Sequence, residues 1–155
     1  MNKIRIIALA VAITMLTLCM VSCGGGEKVS VNCSIAVVVD GEEVFGPFNL
    51  TVQGPAENPP TVLQAAQEAF TVCEIPYEVD DQGLSLTSIT IDGTVYAKGS
   101  DETNIYTWLY SADGVEPEEG RAGTNAVLEG QAITFVYNVT PINPQEFSSD
   151  DEGGR

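Results

Sequence analysis

Among the side chains most often used for nucleophilic catalysis, acid-base catalysis or metal binding, this chain has four cysteines and 22 acidic residues, and it has no histidine. Without histidine, the chain cannot build a Ser-His-Asp triad, a Cys-His pair or a histidine-ligated zinc site. It has no glycine-rich phosphate loop, and no spacing singles out two carboxylates as a catalytic pair. We therefore expect a protein that is not an enzyme, uses no cofactor and works by binding.

One cysteine, Cys23, closes the segment Met20-Val21-Ser22-Cys23 and is followed by three glycines. Lys3 and Arg5 give the chain a basic start, and Ile6–Val21 contains no charged residue, which is typical of a secretory signal and short for a transmembrane helix. The segment resembles the lipobox of bacterial lipoprotein signals. That resemblance implies a diacylglycerol thioether on Cys23, which would become the first residue of an exported, membrane-tethered protein. The alternative is an ordinary cleaved signal followed by a chance cysteine.

These features divide the chain into four predicted parts. Residues 1–22 form the signal peptide, and residues 23–30 form a flexible spacer that lets an anchored domain stand away from the bilayer. Residues 31–140 form the folded domain. From residue 141 onward the chain is rich in Pro, Asn, Ser and acid, which predicts a disordered tail. We expect an extracytoplasmic location, anchored by lipid to the cell membrane or cell surface.

Two further cysteines, Cys33 and Cys73, remain in the predicted domain. An even pair in an oxidising compartment favours one disulfide, which would stabilise the fold by roughly 3–4 kcal/mol if unstrained. The alternative is two buried free thiols, because spacing alone does not show that the two Cα atoms come close.

The charge of the chain limits its partners. The signal carries two of the six basic residues and none of the 22 acidic ones, so the chain from Cys23 has 4 basic and 22 acidic residues and a formal net charge of -18. Such a surface repels nucleic acid and anionic headgroups and fits neutral or cationic partners. Asp80-Asp81 and residues 116–119 lack the spacing of a calcium loop, so we interpret them as solvated loops and predict no metal site.

The alternation of apolar residues predicts a strand hairpin at the start of the domain. Residues 33–40 and 44–52 are its strands, and the turn falls at Asp40-Gly41. Pro47 places the second strand at a sheet edge or a bulge. Thr61 is the predicted cap of a helix over residues 62–72.

Strands and turns follow the helix. The predicted strands are 75–79, a central strand over 84–91, an aromatic segment over 105–111 and a last strand over 132–139, while 95–104 is interpreted as irregular. Further turns are predicted at Asp92-Gly93 and Asp113-Gly114. This order predicts an α+β fold, a β-grasp-like mixed sheet packed against one main helix.

Four segments within this pattern resemble one known family. They are Thr61-Val62-Leu63-Gln64-Ala65-Ala66, Leu86-Thr87-Ser88-Ile89 with Asp92-Gly93, Trp108-Leu109-Tyr110-Ser111-Ala112-Asp113-Gly114-Val115, and Leu128-Glu129-Gly130-Gln131. In this order they are similar to the transcobalamin C-terminal-like domain of bacterial surface proteins. The resemblance implies a β-grasp-like fold and a corrinoid ligand contacted by Trp108, with Tyr106 and Tyr110 beside it.

The orientation of the aromatic strand stays open at the level of sequence. Tyr106, Trp108 and Tyr110 share one face, and Ile105 and Leu109 share the other. Exposed aromatic residues would form a platform for a flat ligand, whereas the opposite orientation would make them part of the core. Two functions are therefore carried forward: a small-molecule binding domain, and a protein-interaction or adhesion module of the cell envelope.

Overall fold

The computed structural model describes residues 27–118 and 121–142. This range contains the predicted domain 31–140 apart from residues 119 and 120. The predicted signal peptide, the lipid-bearing Cys23 and the tail beyond residue 142 lie outside the described residues.

Eight strands and one helix make up the described part of the chain. In chain order they are β1 (Lys28–Val39), β2 (Glu42–Pro55), α1 (Val62–Val72), β3 (Tyr77–Val79), β4 (Leu86–Ile91), β5 (Thr94–Ala97), β6 (Gly99–Ser100), β7 (Asn104–Ala112) and β8 (Gln131–Pro141). The predicted α+β class, with a mixed sheet and one helix, is confirmed. No described helix has the length and apolar character needed to cross a membrane.

The first hairpin forms where the sequence predicts it. Asp40 and Gly41 have φ values of 51° and 82°, as a two-residue type I′ turn requires, and they join Val39 to its partner Glu42. The same pairing of Asp with Gly at positive φ connects β4 to β5 at Asp92-Gly93. The same kind of Asp-Gly turn therefore connects two pairs of strands in this fold.

Strand β2 lies at the edge of its sheet, as the proline in its sequence predicts. Pro47 has no N–H to donate to a neighbouring strand. The pairing of β1 with β2 also slips in register on either side of Val37, so an edge and an irregularity both occur here.

Helix α1 begins and ends at the residues that the sequence indicates. Thr61 Oγ1 accepts a hydrogen bond from the Gln64 N–H at 3.3 Å, and Gln64 Oε1 accepts one from the Thr61 N–H at 2.9 Å. This reciprocal capping box satisfies backbone donors that the first turn would leave unpaired. Its buried residues are Val62, Leu63, Ala65, Ala66, Ala69 and Phe70.

The larger sheet has five strands in the order β2-β1-β8-β7-β6. At its centre the first and last strands pair in parallel, and Ile35 faces Ile133. The other pairings in this sheet are antiparallel. The first and last described strands, β1 and β8, therefore lie side by side in the middle of the sheet.

A second, three-stranded sheet has the order β3-β4-β5, and the sequence did not predict this separation. The predicted central position of β4 is confirmed, since Leu86 and Ile91 are buried and β4 has a neighbour on each side. The prediction that 95–104 is irregular is wrong, because β5 and β6 both fall there. Such short strands pair through the backbone and need no side-chain alternation.

The core lies where α1 meets the two sheets. Phe70 is completely buried and contacts Phe45 and Phe135 of the larger sheet at ring distances of 5.8 and 6.4 Å. It also contacts Tyr77 of the smaller sheet at 5.7 Å. One side chain of the helix therefore ties both sheets together.

The predicted disulfide between Cys33 and Cys73 is absent, and both residues are free thiols. Cys33 is buried on the core face of β1, whereas Cys73 follows the last turn of α1 and is partly exposed. An even cysteine count says nothing about distance, and a disulfide needs the two Cα atoms within about 4.4–6.8 Å. Burial, together with the charges of Glu68 and Glu129, raises the pKa of Cys33, so this thiol is held in its neutral, unreactive form.

Candidate functional site

Strand β7 turns its aromatic face toward the core. Trp108 and Tyr110 pack against the buried cluster and are only partly covered, while Ile105 and Leu109 on the opposite face are 44% and 39% exposed. The structure thus selects the orientation in which the aromatics face inward. Because their burial is incomplete, one side of this aromatic face still reaches the surface.

The indole of Trp108 is held in place by two contacts. Its Nε1–H donates to the carbonyl oxygen of Tyr96 at 3.3 Å, and its ring lies 5.0 Å from that of Tyr137. The Tyr96 and Tyr137 rings are also in edge contact, at 5.5 Å. A ring fixed in this way presents a preorganised surface to a ligand, so little side-chain entropy would be lost on binding.

A cleft of about 160 Å³ opens beside these rings, between β4, β7 and the loop that follows β7. Buried Leu86 and Phe135 form its apolar base, and Trp108 and Tyr110 line it from β7. The other lining residues are Ser85, Leu109, Glu116, Pro117, Arg121 and Ala122. An aromatic and aliphatic hollow with a few polar groups at its rim is the usual composition of a small-molecule site.

The loop wall of this cleft is attached to the start of α1. The N–H groups of Val62 and Leu63 donate to the carbonyl oxygens of Asn125 and Ala122 at 2.9 and 2.7 Å. Together with the Thr61 side chain, these carbonyls satisfy the free donors of the first helical turn. The loop is therefore fixed by the helix, and the cleft has a firm wall.

Two further bonds complete this wall. The Gly123 N–H donates to the Leu84 carbonyl at 2.8 Å, which draws the loop against the start of β4. Asn125 Nδ2 donates to the Tyr110 hydroxyl at 2.6 Å, which links the loop to the aromatic strand. The loop is thus bonded directly to both of the other sides of the cleft.

Arg121 is the basic residue of the cleft; the other described basic residues, Lys28 and Lys98, do not line it. Its Nη1 lies 3.6 Å from Asp80 Oδ2 and donates to Gln82 Oε1 at 3.3 Å. The hydrogen bond from the Leu84 N–H lowers the pKa of Asp80, and the Arg121 charge lowers it further. Asp80 therefore stays ionised beside the guanidinium, whose side chain is 55% exposed.

Tyr106 does not line the cleft and takes part in a different cluster. Its hydroxyl donates to Asp101 Oδ2 at 2.6 Å, and its ring stacks on Tyr137 at 6.0 Å. Asp101 also accepts from the N–H groups of Thr103 and Asn104. The Tyr106 bond is the main cause of the lowered pKa of Asp101, and it raises the pKa of Tyr106 in turn. This cluster fixes the turn before β7.

Several acidic side chains accept hydrogen bonds from backbone N–H groups, one within a turn and two between distant parts of the chain. Asp113 Oδ1 accepts from the Ala132 N–H at 2.9 Å, and Asp80 Oδ1 accepts from the Leu84 N–H at 2.7 Å. Glu129 accepts from both the backbone and the side chain of Asn32, which lowers its pKa. Within residues 27–118 and 121–142, no three or more such groups come together as a metal site would require.

The cleft is too small for a whole drug-sized ligand. Sites for such ligands usually measure about 300–1,000 Å³. The cleft instead suits one edge or one side group of a larger molecule, which would rest its apolar surface on Trp108 and Tyr110. The rest of that molecule would lie outside the domain.

The structure brings two of the three predicted ligand-binding residues, Trp108 and Tyr110, into the cleft and leaves Tyr106 outside it. Sequence reasoning missed Arg121 and the base residues Leu86 and Phe135. A signal for Arg121 exists in retrospect, since it is a lone cation in a long acidic loop. The base residues carry no such signal, because a buried leucine or phenylalanine looks alike in any core.

Comparison with known proteins finds similarity to solved structures, among them haptocorrin. No protein-family model matches the sequence, and no curated protein matches it. The crystal structure of haptocorrin in complex with Cbi is similar to the structure, with a TM-score of 0.49 and 16% sequence identity. The match covers 76% of this chain and 27% of the haptocorrin chain, so this chain spans about a quarter of the length of that protein.

Proposed function

We propose that this protein is a non-catalytic binding protein, anchored by lipid outside the cytoplasm, whose cleft holds part of a flat small-molecule ligand. The observation that carries the proposal is the cleft itself, where the fixed Trp108 indole and Tyr110 border a partly open apolar hollow. Aromatic faces supply large contact area to planar ligands at low entropic cost.

Corrinoids are the ligand class that we propose for the cleft. The segments that resemble the transcobalamin C-terminal-like domain include Trp108–Val115, and this segment supplies two of the three aromatic residues that line the cleft. A corrinoid has a broad ring bordered by side groups, and the small cleft fits one side group while the ring rests on the aromatic surface. A partner domain would then cover the opposite face of the ring.

The test measures corrinoid affinity by calorimetry, with the soluble form of the protein (residues 23–155 with Cys23→Ser). We expect saturable binding of cobinamide that weakens at least about tenfold in Trp108→Ala, since an aromatic contact of this size contributes about 1.4 kcal/mol or more. Trp108→Phe keeps a ring and is expected to fall between the two. Ile105→Ala changes the opposite face of β7 and serves as the matched control, expected to bind within twofold of the unmodified protein.

Two results would contradict this function. Absence of cobinamide binding by the folded soluble form would reject the corrinoid ligand. Equal weakening by Ile105→Ala and Trp108→Ala would show a general loss of structure and would remove the cleft from the proposal.

The anchor is tested through Cys23. We expect the unmodified protein to partition with membranes and Cys23→Ser to be released, because two buried acyl chains hold a protein at a bilayer and their loss leaves nothing comparable. Detergent phase partitioning followed by immunoblotting measures this. Cys19→Ser, which lies within the predicted signal, is the control and should stay membrane-bound; unchanged partitioning of Cys23→Ser would reject the lipid anchor.

The second candidate function, a protein-interaction module, is favoured by one observation. Strand β2 is 14 residues long and lies at the edge of the larger sheet, where its outer side has no described neighbour. An extended peptide can add to such an edge through main-chain hydrogen bonds. Failure of corrinoid binding would make this edge the next surface to test.

A further inference from the structure

The charged and polar side chains of the cleft indicate which hydrogen-bonding groups a ligand must carry. Besides Trp108 and Tyr110, whose polar atoms are bonded to Tyr96 and Asn125, three lining residues have polar side chains: Ser85, Glu116 and Arg121. Glu116 offers only acceptors when ionised, Arg121 offers only donors, and Ser85 offers both. A ligand group that meets this set must both accept and donate hydrogen bonds.

The charge balance of the rim disfavours an ionised ligand group. Arg121 already faces the ionised Asp80 at 3.6 Å, and Glu116 adds a second carboxylate to the lining. The whole chain has a formal net charge of -16, so a ligand carboxylate would enter a repulsive field. A ligand cation would instead meet the guanidinium of Arg121.

The Arg121 guanidinium has more N–H donors than its contacts with Asp80 and Gln82 use. The side-chain partners of Arg121 among the described residues, Asp80 and Gln82, both engage Nη1. A guanidinium carries five N–H donors in a fixed planar arrangement, and those on Nε and Nη2 are not used by these two contacts. Asp80 and Gln82 thus hold the side chain at the rim while other donors stay available to the cleft.

Resting on the function proposed above, we propose that Arg121 together with Glu116 selects an uncharged carboxamide group of the ligand. The Arg121 guanidinium donates to the amide oxygen, and Glu116 accepts from the amide N–H. The apolar base of Leu86 and Phe135 excludes water beneath the group. Carboxamide is favoured over carboxylate because it places no second negative charge beside Glu116 and Asp80.

The experiment compares two ligands that share one ring. Cobinamide carries carboxamide side groups, and cobyrinic acid carries carboxylates in their place. Trp108, the single tryptophan of the chain, reports binding by its fluorescence after correction for ligand absorption. With the soluble form we expect cobinamide to bind at least about tenfold more tightly than cobyrinic acid.

Variants separate a direct role of Arg121 from a structural one. Arg121→Met keeps most of the apolar stem of the side chain and removes its donors, and we expect cobinamide affinity to fall about tenfold, as for the loss of one charge-assisted hydrogen bond. Asp80→Asn keeps an oxygen for the Leu84 N–H and removes the charge that holds Arg121. Because Arg121 then keeps its donors and its bond to Gln82, we expect a smaller loss of cobinamide affinity in Asp80→Asn than in Arg121→Met, about threefold.

Each outcome decides one part of the proposal. Tight cobinamide binding that is unchanged in Arg121→Met, or equal binding of the two ligands, would overturn the role of Arg121 and leave the corrinoid function standing. Equal losses of affinity in Asp80→Asn and Arg121→Met, accompanied by a lower melting temperature in both, would show that Arg121 only supports the loop, which also overturns it. No binding of either ligand would reject the proposed function and this inference together.

Discussion

Replacing Phe70 with alanine is expected to lower the free energy of unfolding by about 3–5 kcal/mol, the largest effect of a single substitution that we predict. Phe70 is fully buried and contacts Phe45, Phe135 and Tyr77, which belong to both sheets. Its truncation removes apolar area and leaves a cavity that β strands on two sides cannot both collapse to fill. Urea unfolding followed by circular dichroism measures the change.

Two further variants of the same helix provide stability losses with which that of Phe70→Ala can be compared. Phe70→Leu keeps most of the volume and is expected to cost less than half as much. Val72→Ala changes a residue that is 64% exposed and should alter stability by no more than about 0.5 kcal/mol. A loss of less than about 1.5 kcal/mol in Phe70→Ala would contradict the assignment of Phe70 as the residue that joins the two sheets.

Replacing Gly123 with alanine is expected to affect both stability and ligand binding. An added Cβ would lie 2.5 Å from Leu84 Cα and 2.8 Å from the Gly83 carbonyl oxygen, and backbone atoms cannot rotate away. The loop must move, which breaks the bond from the Gly123 N–H to the Leu84 carbonyl and shifts Arg121 and Ala122. We expect a loss of about 1–3 kcal/mol in stability and at least about tenfold in cobinamide affinity.

The control for this prediction is Gly99→Ala. Gly99 has an ordinary φ, and nothing lies within 4 Å of an added Cβ, so the substitution should leave both stability and binding nearly unchanged. Calorimetry on the three proteins gives both quantities. Full cobinamide affinity in a folded Gly123→Ala protein would show that the loop position does not shape the binding site.

The features that the sequence predicted correctly are those that depend on near neighbours in the chain. Thr61 and Gln64 are three residues apart, so their capping box is visible in the sequence and the helix boundaries follow from it. Asp40 and Gly41 are adjacent, and their preference for positive φ specifies a tight turn without reference to the rest of the fold.

The features that the sequence did not predict depend on distant contacts. The division into two sheets and the absence of the Cys33–Cys73 disulfide are set by three-dimensional distances that no local pattern encodes. The wall of the cleft arises because the loop carrying Ala122 docks on the start of α1. Trp108 could be placed on a strand from its neighbours, but its orientation required knowing which face of β7 meets the core.

The parallel pairing of β1 with β8 has a consequence for how the chain folds. Strand β1 gains its second neighbour in the larger sheet only when β8, the last described strand, is present. Contacts between residues so far apart in sequence form slowly, because a long loop must close before they are made. A chain that crosses a membrane before it folds, as the proposed signal implies, would benefit from this delay. The middle of the sheet can form only when β8 is available, because β8 is the strand that joins β1 to β7.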